Sequence, residues 1–424
     1  MAPRPSRFGV AWTAARLASR RVLRRKEGAR DRELGEQLTG QLDQMKGLAM
    51  KLGQIVSYMD VPLPDSVQQQ LARLQTGEHG LSPSQTRAAL EDALGPDFEQ
   101  HFEAFDMQPI AAASIGQVHR ARFGGQAIAL KLQYPGVADS FRKDLGAMRP
   151  IASLASLASA VDGPAIVQEL GARLAEECDY LREAAFVRAF GRAFADEPQM
   201  NIPQVIAPLT TATTLATTWA AGEGFEDACQ APVELRTAYA RTLVRFGYRS
   251  LLESCTVQAD PHPGNFLFGP GPRVTFVDFG CVRGFDPELI GSLRAMIEAI
   301  DHGDRPAFRD SVMAVGMTPK PERIDFDHLF AMMEHLHRPL LQPRFRFSPD
   351  FVRQGLAYNG PTNPNVRHLS IPPPYIWIAR LQWGLWSLLT RLRADLPLRD
   401  ILDEVMRTPI ASMPRHGQHA PRAH

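Results

Sequence analysis

No CxxC pair occurs in this sequence, and its four cysteines, Cys178, Cys229, Cys255 and Cys281, stand far apart, which argues against a zinc site and against a disulfide framework. A reducing compartment fits best. Charge of one sign is equally scarce: 47 basic against 46 acidic residues leave a formal net charge of +1, too little for bulk nucleic-acid binding, and no nucleic-acid partner is expected. Long apolar runs are missing too. The nearest, residues 375–389 (YIWIARLQWGLWSLL), contains Arg380 and Gln382 and reads as a buried helix. Its tryptophans Trp377, Trp383 and Trp386 leave an interfacial membrane anchor as the alternative. What remains is an ordinary globular composition, 44% hydrophobic and 22% charged, in a chain of 424 residues with room for two or three domains. Richness in alanine, arginine and proline points to a bacterial source, and the expected location is the cytoplasm or the periphery of a membrane.

The uneven region is the N-terminus, where Arg4, Arg7, Arg16, Arg20, Arg21, Arg24, Arg25, Lys26 and Arg30 face a single acid, Glu27. Three readings fit this cationic arm: a solvated tail, a helix on an anionic membrane surface through residues 1–30, and an organellar transit peptide. From Glu33 to about Leu74 the pattern is helical, broken around Pro62 and Pro64. A further helix is predicted over residues 84–94, opened by Ser82 as cap with Pro83 in the first turn and ended at Gly95-Pro96. Then the period changes. Residues 109–133 read as strand, small-residue loop, strand, a Gly124-Gly125 hairpin turn, and an apolar strand ending in Lys131. Helical pattern returns over residues 137–195, two strands are expected around Val205 and Leu215, and Gly222-Glu223-Gly224 forms a linker. Beyond it helices dominate, except for a compact insert at residues 257–280.

That insert, VQADPHPGNFLFGPGPRVTFVDFG, carries the strongest chemical signal. An aspartate, an asparagine five residues later, a strand, a turn, a strand and a second aspartate in DFG form a phosphoryl-transfer signature. Phosphate transfer needs a metal held between acidic or amide oxygens and the triphosphate, and a carboxylate near the attacking oxygen. A short hairpin lets Asn265 and Asp278 converge as Mg²⁺ ligands while Asp260 acts as base or orienting group. Lys131 is the second signal, because a lysine inside an apolar strand is costly to bury without a partner. It fits the strand lysine that meets nucleotide phosphates and a helix glutamate. Within residues 174–190, Glu176, Asp179 and Glu183 share one face of a regular helix, with Glu177 turned about 200° from Asp179, and Glu183 is the expected partner of Lys131. His328, His335 and His337 lack an acid or cysteine to complete a metal site, and His262 reads as a loop residue making a structural hydrogen bond.

Taken with KGLAMKLGQ at residues 46–54, these motifs resemble the UbiB, or AarF-related, family of atypical protein-kinase-like proteins. KLGQ (the family's KxGQ), AAASIGQVHRA followed by ALKLQYPG, ECDYLREAA, and DPHPGN with VDFG carry the resemblance, in that order. It implies a two-lobed α+β kinase-like fold. Residues 1–32 would be the basic arm, 33–105 a helical extension carrying KxGQ, 106–222 the β-rich N-lobe, 223–408 the mainly helical C-lobe and 409–424 a tail. It also implies that Lys51 and Gln54 meet Glu177 and Asp179 over the active site, with Gly53 permitting the close approach. Ala111-Ala112-Ala113-Ser114 would replace the glycine-rich nucleotide loop, and their Cβ atoms restrict positive φ. The implied cofactors are ATP and Mg²⁺. The implied activity is an ATPase with ordinary protein kinase activity held back, supporting ubiquinone or other isoprenoid-lipid metabolism at a membrane, with quinone or lipid biosynthetic proteins as partners.

Three departures stand out. Gln258 replaces a usual histidine, Phe186 replaces the asparagine usual after REAA, and QTGEHGLSPS replaces a QDxxPP turn. Two other function classes stay open: a small-molecule phosphotransferase of the aminoglycoside or choline kinase type, against which KLGQ and ECD argue, and a nucleotide-binding pseudokinase scaffold, against which intact Lys131, Asp260, Asn265 and Asp278 argue.

Overall fold

A computed structural model describes residues 80–112, 115–140 and 174–411 except 359, 361 and 362, together with 142, 143, 146, 168, 171, 172 and 413. The cationic arm, the KGLAMKLGQ segment, Ala113, Ser114 and most of the helical pattern expected over 141–173 lie outside the described residues. The chain divides into two compact units, one reaching to residue 184 and including 205–219, the other made of 185–204 and the residues from 220 onward.

In the first unit, helix α1 (Pro83–Leu94) opens as its sequence dictates. Ser82 accepts a hydrogen bond from the Gln85 amide while the Gln85 side chain accepts from the Ser82 amide, a reciprocal cap contributing about 1 kcal/mol. Gly95 ends the helix at φ 94°. The sheet runs β1 (Ala104–Phe105), β3 (Gly116–Phe123), β4 (Gln126–Gln133), β6 (Thr214–Thr218), with β2 (Ala111–Ala112) also on β3, and all its pairings are antiparallel. Gly124 and Gly125, at φ 58° and 79°, make the tight turn between β3 and β4. Side chains alternate along β4: Ile128, Leu130 and Leu132 are buried with Leu90 and Phe98 in one apolar cluster, which turns Lys131 to the opposite face. Val205 makes only an isolated bridge to Thr217 instead of the expected strand. Pro203 and Pro208 flank it without amide hydrogens to extend a ladder.

The second unit is mainly helical. Helix α2 (Tyr180–Ala193) begins in the first unit and enters this one, which continues through α3 (Val233–Tyr248), α4 (Pro287–His302), α5 (Arg305–Val315), α6 (Phe326–Leu341), α7 (Pro349–Tyr358), α8 (Pro373–Arg391) and α9 (Arg399–Arg407). Three small sheets interrupt the helices. β5 (Met200–Asn201), β9 (Val274–Phe276) and β8 (Phe266–Phe268) form one, β7 (Thr256–Gln258) and β10 (Val282–Gly284) the second, and β11 (Phe345–Arg346) and β12 (Asp395–Leu396) the third. Arg245 on α3 grips both carboxylate oxygens of Glu404 on α9 at 2.6 Å each, a bidentate tie between helices distant in sequence.

The apolar run at residues 375–389 lies within α8, and its polar residues find internal partners. Gln382 donates to the Tyr248 hydroxyl at 3.0 Å, the Trp386 indole donates to the Leu336 carbonyl at 3.0 Å, and Trp386 is fully buried. Trp383 packs against Gly355, and Trp377 lies under the Arg283 guanidinium at 4.7 Å, so both half-buried indoles also make protein contacts. Among the described residues no helix is long and apolar enough to cross a membrane. His335 and His337 on α6 are buried and hydrogen-bonded to the Phe351 and Met333 carbonyls, a structural role. Burial lowers the pKa of His337 to about 4.

Helix α8 also supports the loop after β7. A Cβ on Gly384 would lie 2.1 Å from Pro261 Cγ, so only glycine permits this approach. Gly384→Ala is expected to destabilise the protein by about 1–3 kcal/mol through overpacking. Urea unfolding checks it; a change below about 0.5 kcal/mol would mean that the loop yields freely.

Candidate active site

The first unit holds the sequence-predicted lysine and its glutamate. Lys131, flanked in the sheet by Val118 on β3 and Leu215 on β6, extends its ammonium to both carboxylate oxygens of Glu183 at 2.9 and 3.1 Å. Glu183 is 3% exposed and Lys131 17%, so each charge answers the desolvation of the other. The Tyr180 ring, one turn before Glu183, lies 5.0 Å from the ammonium. Ala111 and Ala112 form β2 at the entrance to the small-residue loop, and its other two residues, Ala113 and Ser114, are outside the described part.

The regular-helix reading of residues 174–190 is corrected at one point. The helix breaks at Cys178-Asp179 and restarts at Tyr180, so Glu176, Glu177 and Asp179 do not follow one helical wheel with Glu183. Asp179 instead caps the new helix: its Oδ1 accepts the Arg182 amide at 2.9 Å. Aspartate competes with helix backbone for its own hydrogen bonds, which is the physical reason for a break at this position. Gln133, at the end of β4, donates to the Cys178 carbonyl at 3.0 Å and pins the break to the sheet. Glu177 is half-buried. Lys51 and Gln54, the expected partners of Glu177 and Asp179, lie outside the described residues.

The second unit holds Asp260, Asn265 and Asp278. β8 and β9 pair from Phe266↔Phe276 to Phe268↔Val274, and the Val277 amide donates to the Asn265 carbonyl at 3.1 Å. Asn265 and Asp278 thereby flank the open end of one hairpin. The Asn265 amide donates to the Asp260 carbonyl at 2.9 Å and to its carboxylate Oδ2 at 3.3 Å. His262 accepts the Gly264 amide at 3.1 Å, a turn-forming bond. Asp278 Oδ1 accepts the Gly280 amide at 2.9 Å, and Phe279 is buried against Phe190 with ring centroids 4.9 Å apart. Among the described residues no three His, Cys, Asp or Glu side chains form a metal-holding group. A cation here would depend on the asparagine oxygen as well as carboxylate.

Two contributors escaped the sequence reading as site residues. Gln258, noted there only as a departure, donates to the Asp260 carbonyl at 3.2 Å and the Asp278 carbonyl at 3.0 Å, linking the Asp260 loop to DFG. Arg380 on α8 donates to Asp260 Oδ1 at 2.7 Å. The signal for Arg380 was present: a guanidinium inside a fifteen-residue apolar run demands a partner as Lys131 does.

Comparison with known proteins follows the same residues. The model of the ABC1 atypical kinase-like domain matches residues 73–312, more than half of the chain. The mitochondrial atypical kinase COQ8B of Rattus norvegicus is 32% identical over 274 residues, covering 64% of this chain and 52% of its own. The mitochondrial atypical kinase COQ8 of Saccharomyces cerevisiae is 28% identical over 285 residues, 66% of this chain and 57% of its own. The chain thus spans about half the length of these curated relatives. Among solved structures, that of the Rv3197–erythromycin complex from Mycobacterium tuberculosis matches at TM-score 0.68 and 24% identity, over 91% of this chain and 100% of that one, which shows a common fold. With a family model over most of the motif-bearing region and a kinase-like α+β fold, the chain belongs to the ABC1 atypical kinase-like family.

Proposed function

We propose that this chain is an atypical kinase-like ATPase that binds Mg-ATP and supports ubiquinone or other isoprenoid-lipid metabolism at a membrane surface. The ion pair between Lys131 and Glu183 carries the reading, because a buried lysine held by a helix glutamate is the arrangement that presents an ammonium to nucleotide phosphates. On this reading Ala111, Ala112, Ala113 and Ser114 have the role of nucleotide-binding residues, and Asp260 that of orienting the attacking oxygen. With water as acceptor, its oxygen bonds to the γ-phosphorus as the bond to the β–γ bridging oxygen breaks, giving ADP and phosphate.

Asn265 and Asp278 suit Mg²⁺. The asparagine spends its amide nitrogen on Asp260, which reserves its oxygen as a donor to a cation, and the Asp278 carboxylate supplies a second hard oxygen. Bound there, the ion would neutralise charge on the β- and γ-phosphates. Both carboxylate oxygens of Asp260 already receive a donor, Arg380 on Oδ1 and Asn265 on Oδ2. The membrane role rests on the basic residues between Arg4 and Arg30.

Three outcomes test this reading. Asp278→Asn abolishes the thermal shift that Mg-ATP produces, and an undiminished shift would remove the metal assignment. Lys131→Met costs about 3–5 kcal/mol by taking away the charge that answers Glu183, while Lys131→Met with Glu183→Leu regains stability without regaining ATP binding; urea unfolding and calorimetry separate the two effects. Hydrolysis of ATP rises when liposomes containing anionic lipid are added, and equal rates with neutral and anionic liposomes would exclude the membrane role of the arm.

A further inference from the structure

Gln117 in the SIGQVH segment is fully buried on β3, directly across from Ala112 on β2. Its side chain reaches away from that strand into the helical extension. The oxygen Oε1 accepts the Leu81 amide at 2.8 Å, and Nε2 donates to Thr86 Oγ1 at 2.9 Å. Nε2 also lies 2.8 Å from His119 Nε2, while His119 Nδ1 lies 2.8 Å from the Asp106 carbonyl. A carbonyl only accepts, so Nδ1 carries the proton and Nε2 accepts from Gln117. His119 is fully buried, and burial lowers its pKa against the opposing pulls of its bond to the Asp106 carbonyl and of the Asp106 carboxylate. Every partner therefore fixes the same orientation of the Gln117 amide.

Apolar packing alone would hold α1 on the sheet, since Ala89 and Leu90 share the core with Ile128 and Leu130. Such packing is non-directional. The amide cluster adds register: sliding α1 by one residue, about 1.5 Å, breaks the bonds at Leu81 and Thr86 and strands buried polar groups. The contact reaches both stems of the small-residue loop. A Cβ on Gly80 would stand 3.0 Å from Gln117 Oε1 and 3.3 Å from Pro109 Cγ, and Pro109 leads into β2 as Gln117 leads out along β3.

We propose that Gln117 is a positioning residue through which the helical extension, by way of Leu81 and Thr86, sets the placement of β2 and with it the discrimination between ATP and ADP. The inference rests on the reading that β2 opens the nucleotide loop.

Calorimetric affinities for Mg-ATP and Mg-ADP test it on the full-length chain. Thr86→Val, which removes an acceptor on the extension and touches nothing in the loop, is expected to change the ratio of the two affinities by about threefold or more. Thr86→Ser restores the wild-type ratio. Combined with Ala112→Gly on β2, Thr86→Val gives less than the product of the two single effects, because both act on one placement. Should Thr86→Val fail to fold, Gly80→Ala, which presses on Gln117 and Pro109, is read in the same way. A wild-type ratio in the extension variant, or strictly multiplicative effects with Ala112→Gly, would overturn the proposal and leave Gln117 a structural pin. Absence of nucleotide binding by the wild-type chain would instead overturn the function on which it rests.

Discussion

Lys131 sits in the middle of a sheet where no side chain from its own strand can answer its charge, and its partner Glu183 lies 52 residues away. Desolvation makes that distance decisive. An ammonium in an apolar sheet is tolerated only if a carboxylate arrives, so β4 and the first turn of α2 are bound to one another before any ligand is considered. The alternation of β4 supplies the direction, with Ile128, Leu130 and Leu132 occupying the core face and leaving the other face to the lysine. The cap that Asp179 provides then sets where α2 begins, and so where Glu183 stands.

The second unit repeats the logic with opposite sign. Asp260 is met by Arg380 from a helix 120 residues further on, and Gly384, one turn along the same helix, lets Pro261 settle against it. One helix thus sets both the position of the Asp260 loop and the charge beside it. In each unit a polar group in an apolar setting identifies an element that must be brought close.

Where a residue conflicts with its local context, the sequence discloses most. Lys131 in an apolar strand and the spacing of Asp260, Asn265 and Asp278 around a hairpin were legible because the chemistry and the local pattern coincide. The Ser82 cap and the Gly124-Gly125 turn were legible because each is a local rule of backbone geometry. The break at Asp179 was hidden by treating residues 174–190 as one helix, although an aspartate there is as apt to cap as to continue. Arg380 and Gln117 were hidden for another reason. Their partners are supplied by tertiary contacts: Gln117 draws two of them, Leu81 and Thr86, from residues more than thirty positions earlier in the chain.

Gln258 uses a single amide nitrogen to serve the carbonyls of Asp260 and Asp278 together, where the sequence resemblance implies a histidine. That nitrogen carries two hydrogens at any pH. A neutral imidazole carries one and gains its second only on protonation near pH 6.5, so a histidine clasp would loosen and tighten across the physiological range. The glutamine therefore ties the Asp260 loop to the DFG segment through a donor that does not itself titrate.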